Sequence, residues 1–294
     1  MSVWILSKQS ENYYENERLL AEFALRNINA RLMNPDRFDL IVNKNVEQSI
    51  FYDGNPVELP KILLVRQGAG SSSFMLAVIN QLEHAGVRCI NTAEAIDTVQ
   101  NKLKTAQLLS SNNIATPNTM MVRFPVDVNL VNRDIGFPCV VKVTQGSYGE
   151  GIFLCEKRRD LSKLMEFINT IGTNKTLLIQ EYLGERVGED LRVLVIGGKV
   201  VGAMKRTAPD GDFRANITNG GTGEAFPVCD EIEFIARETA RVFNLDIAGV
   251  DLLFHSNGFR VLEVNSNPGF NGFDKYCNAN IAEVIAEYIG FKLL

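Results

Sequence analysis

The sequence predicts an α/β fold, and three observations carry that expectation. Short apolar runs with strand character alternate with amphipathic runs of helical period along the whole chain. Hydrophobic residues make up 46% and charged residues 22% of the 294 residues, the balance of a globular protein long enough for two or three cores. The strongest hairpin signal, Asp251 to Asn265, sets polar side chains on one face and apolar side chains on the other.

Taken in order, Val3–Leu6 reads as a first strand and Asn16–Asn27 as a helix with Leu19, Leu20, Phe23 and Ala24 on one face. Ile62–Val65 is a strand leading through Arg66 and a Gly/Ser loop into a helix that ends near Ala85. Ser71 to Ser73 suit a helix cap better than a nucleophile. Asn91–Ala95 reads as a short loop before one basic helix, Asp97–Ser111, and Asp127–Pro138 as a helix-poor linker. Beyond it come a buried strand Cys139–Val143, a helix Leu161–Thr170 and a strand Thr176–Gln180. Leu191–Ile196 and Lys199–Met204 form a hairpin over Gly197 and Gly198; Ile232–Phe243 and Asn280–Ile289 are helices on either side of the 251–265 hairpin.

Several function classes are disfavoured by composition. The net charge is −5 and the pI about 5.3, which argues against nucleic-acid binding over the whole surface. Cys89, Cys139, Cys155, Cys229 and Cys277 form no CxxC pair and read as reduced thiols of an intracellular protein. The apolar run at the N-terminus is too short for a signal peptide, and no window has the length of a membrane span, so a cytoplasmic location without membrane contact is expected. His84 and His255 have no GxSxG serine or suitably spaced cysteine, which disfavours a catalytic triad.

The hairpin carries the chemistry. With a three-residue turn Ser256-Asn257-Gly258 and Gly258 left-handed, Val250 faces Val264, Asp251 faces Glu263 and Leu252 faces Leu262. Asp251, Glu263 and Asn265 then share one face and offer hard oxygen donors, which suits Mg²⁺ rather than Zn²⁺. A solvated hairpin with ordinary surface carboxylates is the alternative. Gly146, Ser147, Tyr148, Gly149 and Gly151 follow a strand carrying Lys142 and precede another strand, the arrangement of a hairpin flap over a phosphate-bearing ligand; read alone, it is equally a plain glycine-rich turn. Gln180, Glu181, Tyr182 and Leu183 end a strand where backbone and carboxylate could hold an adenine, and Asp190 could accept from ribose hydroxyls. Arg192, Arg206 and Arg214 lie close in sequence to these carboxylates and suit anionic substrates, or else simply balance nearby acids.

The order of a strand lysine, glycine-rich flap, Gln-Glu-Tyr-Leu, basic strand, Arg214-Ala-Asn216, and Asp251 followed by Glu263-Val-Asn265 and Pro268-Gly269 resembles the ATP-grasp superfamily. Within it, the chain resembles the RimK-type α-L-glutamate ligases. The resemblance implies an N-terminal α/β (pre-ATP-grasp) domain over 1–97 and two α+β lobes, 98–183 and 184–294, clamping ATP. It implies that Lys102, Lys142 and the flap contact ATP, with Glu181, Tyr182 and Leu183 on adenine and Asp190 on ribose. Arg214, Ala215 and Asn216 make further nucleotide contacts, and Asp251, Glu263 and Asn265 bind two Mg²⁺ ions, or Mn²⁺. Arg206, Arg192 and Arg214 become the catalytic residues, facing the substrate carboxylate and the transferring phosphoryl group.

The implied reaction activates a carboxylate as an acyl phosphate, which the amino group of L-glutamate then attacks. The acceptor is a protein C-terminus, a peptide or a small carboxylate, and a homo-oligomer is expected. A non-catalytic ATP-binding protein of the same fold, or a ligase for another amino acid, are the rivals. The stretch Phe270 to Cys277 and the Lys205-Arg206 pair differ from the family pattern and bear on the acceptor.

Overall fold

A computed structural model of the chain describes residues 2–42, 49–67, 71–143, 151–170, 176–209, 212, 215 and 220–294. In the N-terminal part, β1 (Ser2–Leu6), α1 (Tyr14–Leu25), β2 (Asn29–Met33), β3 (Phe38–Leu40), β4 (Ile50–Tyr52), β5 (Asn55–Pro56), β6 (Ile62–Val65), α2 (Ser73–His84) and β7 (Arg88–Ile90) follow one another. The order β2-β1-β6-β7 is a parallel sheet, while β3, β4 and β5 form a small antiparallel one. Both faces of the parallel sheet are covered, so its central strands are almost wholly apolar: β6 is Ile-Leu-Leu-Val with every residue buried. Ser72 caps α2, its Oγ accepting from the Met75 amide at 3.2 Å.

The next stretch departs from the sequence expectation. The segment read as one basic helix is two, α3 (Ala93–Gln100) and α4 (Lys102–Ser111). Thr92 starts α3 by accepting from the Ala95 amide, inside the segment expected to be a loop. Asn101, extended at φ −89° and ψ 97°, ends one helix and caps the other by accepting from the Lys104 amide. The central unit holds β8 (Thr119–Val122), α5 (Val128–Asp134), β9 (Cys139–Val143), β10 (Ile152–Cys155), α6 (Arg158–Thr170) and β11 (Leu177–Glu181) in the sheet order β10-β9-β11-β8. The supposed linker therefore contains a helix, which Asp127 caps by accepting from the Asn129 and Leu130 amides while Val131 plugs the core beneath.

The C-terminal part contains β12 (Glu189–Ile196), β13 (Lys199–Thr207), β14 (Thr222–Phe226), α7 (Asp230–Val242), β15 (Ile247–His255), β16 (Gly258–Asn265), α8 (Asn271–Tyr276) and α9 (Ile281–Leu293). Its antiparallel sheet runs β14-β13-β12-β15-β16. One face packs on α7, with α4 contributing Leu109 to that core. Toward the far end of the other face, Leu194, Ile196, Met204 and Ile247 join α1, α9 and the N-terminal sheet in a shared core around Phe270 and Phe273. The rest of that face carries the charges. No helix among the described residues is long and apolar enough to cross a membrane.

Candidate active site on the five-stranded sheet

Cross-strand pairing lines the charged face up in rows, with neighbours roughly 5 Å apart. One row reads Met204, Arg192, Asp251, Glu263 across β13, β12, β15 and β16; two residues further along the strands, Arg206 on β13 pairs with Asp190 on β12. On the other side Gly249 faces Asn265. A side chain on Gly249 would start 2.8 Å from Pro268 Cβ, so only glycine lets the chain after Asn265 fold back over the sheet.

The hairpin register is right at this end and wrong at the tip. Val250 pairs with Val264 and Asp251 with Glu263, but Leu252 pairs with Val261 instead of Leu262. His255 pairs with Gly258, leaving a loop of Ser256 and Asn257, one residue shorter than expected; Gly258 is left-handed, with φ +96°. A β-bulge after Asp251 absorbs the difference. Its reason is burial: Val261 and Val264, an odd spacing apart, both enter the core at 0% and 2% exposure, and Leu262 is the residue left half-buried.

Asp251 is the electrostatic centre. Its Oδ1 accepts from Arg192 Nε at 2.7 Å, and its Oδ2 accepts from Arg192 Nη2 at 2.6 Å and Arg206 Nη2 at 3.0 Å. Arg206 also grips Asp190 through both oxygens, at 2.7 and 2.6 Å. Burial pushes the Asp251 carboxyl up, but the two guanidinium groups outweigh it and hold it below its ordinary value. A carboxylate has about four lone-pair directions, so Asp251 retains capacity for a cation beyond these three hydrogen bonds. Glu263 is half-exposed. Asn265 is partly buried, and its Nδ2 has no hydrogen-bond partner. No cluster of three His, Cys, Asp or Glu exists among the described residues, so a cation here would need the amide oxygen beside the two carboxylates. That all-oxygen set fits Mg²⁺.

Two lysines reach the same place from separate elements. Lys102, in the first turn of α4, lies 3.8 Å from Glu263. Lys142 on β9 donates to Gln180 Oε1 at 2.6 Å, and Gln180 in turn donates to Thr119 Oγ1. Burial lowers Lys142 to about 8, partly offset by Glu263 and reinforced by Lys102. Nothing in its motif singles out Gln180 as the anchor of Lys142. That role comes from the pairing of β9 with β11, where Leu178, two residues before Gln180, lies opposite Lys142.

Glu181 ends β11, where its carboxylate accepts from the Asn118 amide at 3.1 Å and its own amide donates to Asn118 O. The Tyr182 ring packs over Gly184, whose Cβ would lie 2.9 Å from it, and burial raises the Tyr182 phenol. Leu183 follows, half-buried. Asp190, expected near ribose, is buried against Arg206. β9 and β10 pair antiparallel with Lys142 opposite Ile152, so they are hairpin partners, and Gly151 just before β10 is left-handed at φ +70°. Ala215 is buried. Gly146, Ser147, Tyr148, Gly149, Arg214 and Asn216 lie outside the described residues.

Comparison with known proteins bears on the family and the fold. Residues 99–289 match the RimK-like ATP-grasp domain and residues 1–96 the RimK PreATP-grasp domain. The chain is 35% identical to a protein of Aeromonas salmonicida named "Probable alpha-L-glutamate ligase", over 99% of this chain and 97% of the other. The chain belongs to the RimK-like ATP-grasp family. A Methanococcoides burtonii protein of the same name is also 35% identical to this RimK-like chain, over 98% of it and 95% of the relative. Among solved structures, the ATP-grasp ligase PsnB with its minimal precursor superposes with a TM-score of 0.77 at 21% identity, covering 99% of each chain. A RimK domain ATP-grasp protein from Sphaerobacter thermophilus gives 0.74 at 18% identity, over 98% of this chain and 99% of that one. These two likenesses establish the ATP-grasp fold, with its N-terminal domain.

Proposed function

We propose that this RimK-like chain, an ATP-dependent, ADP-forming ligase, activates a carboxylate as an acyl phosphate, which the amino group of L-glutamate then attacks to form an amide with release of inorganic phosphate. The observation that carries the reading is the row Arg192, Asp251, Glu263 with Asn265 beside it, Lys102 3.8 Å from Glu263, and Lys142 near enough to feel the charge of both. Hard-cation donors and phosphate-binding cations in contact are what a triphosphate with its metal requires. We assign residues 1–97, 98–183 and 184–294 to three lobes, the last two enclosing ATP.

In this reading Asp251, Glu263 and Asn265 would hold two Mg²⁺ ions, or Mn²⁺, which when bound would neutralise phosphate charge. Lys102 and Lys142 bind phosphate oxygens. Glu181, Tyr182 and Leu183 take the adenine, Asp190 the ribose through the lone pairs its Arg206 pairing leaves, and Arg214, Ala215 and Asn216 further nucleotide atoms. The segment Gly146 to Gly151 covers the phosphates and excludes water from the acyl phosphate. Arg206 and Arg192, already oriented by Asp251, present guanidinium charge to the acceptor carboxylate, with Arg214 at the transferring phosphoryl group. No protein nucleophile is needed, because the phosphoryl group supplies the activation and alignment lowers the barrier. The acceptor is a protein C-terminus, a peptide or a small carboxylate.

ADP release is measured with ATP, Mg²⁺ and a panel of acceptor carboxylates, with and without L-glutamate. Glutamate-dependent release is expected, together with a product carrying isotopically labelled glutamate by mass spectrometry. ADP formed at the same rate without any amino acid would defeat the ligase reading.

A further inference from the structure

The four parallel strands of the N-terminal sheet end on one side at Leu6, Met33, Val65 and Ile90. In open α/β sheets, ligands bind in the crevice at the carboxyl ends of the strands. Here the residues that follow β6 and β7 grip the chain's own segment after Asn265. Asn91 Nδ2 donates to the carbonyls of Ser266 and Ile247, both at 2.7 Å, while its Oδ1 accepts from the amides of Asp246 at 2.8 Å and Ile247 at 3.1 Å. Arg66 Nη2 donates to the Pro268 carbonyl at 3.1 Å and to Glu15 Oε2 at 2.6 Å. Glu15, on α1, uses its other oxygen to accept from the Phe270 amide at 2.8 Å. Backbone groups at 266, 268 and 270 are thus each held by a buried polar side chain from the N-terminal domain. Asn91, Arg66 and Glu15 are 2%, 5% and 7% exposed.

Asn91 makes two donor and two acceptor bonds, the full capacity of a side-chain amide. The groups it joins flank one register pair. Ile247 lies two residues before Gly249, Ser266 one residue after Asn265, and Gly249 faces Asn265. Asn265 is the last residue of β16, so the sheet ladder restrains it from one side only.

We propose that Asn91, Arg66 and Glu15 are positioning residues that set the metal-binding geometry of Asn265 from the N-terminal domain. The proposal rests on the assignment of Asn265 and Glu263 to the metal made above. It makes the N-terminal domain part of the metal site's supporting shell, and loss of such partners typically weakens metal binding by about 10–100-fold.

Mn²⁺ binding to the full chain, read by electron paramagnetic resonance in the presence of a non-hydrolysable ATP analogue, tests this without turnover. Asn91→Asp keeps the acceptor oxygen for the Asp246 and Ile247 amides but loses the donors to Ser266 and Ile247. It should raise the Mn²⁺ dissociation constant about tenfold with an unchanged circular-dichroism spectrum. Arg66→Lys, which shortens the reach to Pro268, should raise it less. Arg37→Ala cuts an ion pair with Asp53 elsewhere in the same domain and should leave Mn²⁺ binding unchanged. A folded Asn91→Asp chain with the parent Mn²⁺ affinity overturns the proposal, and if that variant does not fold, the same criterion applied to Arg66→Lys decides. Glu263→Gln separates the two levels. If it too binds Mn²⁺ normally, the metal assignment falls and the positioning role with it; if it alone loses Mn²⁺, only the positioning role falls.

Discussion

The base and the tip of the β15–β16 hairpin follow different registers, one residue apart, within a single pair of strands. At the tip, the left-handed Gly258 closes a short loop and dictates which residues pair. At the base, Val250 and Val264 are buried on one face while Asp251 and Glu263 occupy the other. The bulge after Asp251 lets each end satisfy its own requirement. The comparison teaches that the site's geometry is fixed by the base, where side chains from four other elements meet, and is insulated from the turn that starts the hairpin.

Changes at the base should therefore affect function or global stability, and a change at the tip should affect only local stability. The largest effect is expected from Arg206→Ala, which leaves Asp190 and Asp251 buried without their shared cation. Denaturant unfolding should show a loss of roughly 3–5 kcal/mol, and acceptor use should fall more than ATP binding in the fraction that folds. Equal loss of both would remove Arg206 from the acceptor role. Next comes Glu263→Gln. The side chain is half-exposed, so the fold should be unaffected, whereas ADP formation should drop by at least about 100-fold. Near-normal turnover would sink the metal assignment.

Lys142 gives a smaller, pH-dependent effect. Burial depresses it to about 8, so the ammonium is lost as pH rises through that value. Phosphate binding needs the protonated form, so metal-free affinity for an ATP analogue should weaken progressively above about pH 8. Lys142→Arg should flatten that dependence, and a wild-type profile unchanged from pH 7 to about 9 would contradict the assignment. The smallest effect is at the tip. Gly258→Ala forces an alanine into φ +96° and its Cβ against the end of the exposed Glu231 side chain, which must swing aside; it should cost about 1–2 kcal/mol by thermal unfolding, with turnover near that of the parent. A large loss of activity there would show that tip and base are coupled after all.

Much of the fold was legible because its signals are local. Apolar β6, the Gly197-Gly198 hairpin and the Ser72 cap each follow from their own few residues. The errors also have local causes. Asn101 breaks a continuous helical pattern by capping in both directions, and Asp127 nucleates a helix of only seven residues in a stretch rich in turn formers. At the site, the pairing of Asp251 with Glu263 was readable, since a shift by one residue there would set each acid opposite an apolar residue. The pairing of Asp251 with Arg192 and Arg206 was not, because it depends on how β12 lies between β13 and β15.

Local chemistry in the sequence thus determined the donor types, the alternation that sets acids on one face, the strand lysine and the glycines at the turns. These depend on residues a few positions apart, and the two-residue side-chain period of a strand fixes them. Only the tertiary structure decided that Lys102 reaches Glu263 and that Lys142 lies within their electrostatic influence, that Arg206 bridges Asp190 and Asp251, and that Asn91, Arg66 and Glu15 hold the chain beyond Asn265. The last of these contacts join residues more than 170 positions apart. No periodicity encodes such a separation; it is set by which buried polar group finds a partner when the sheets pack.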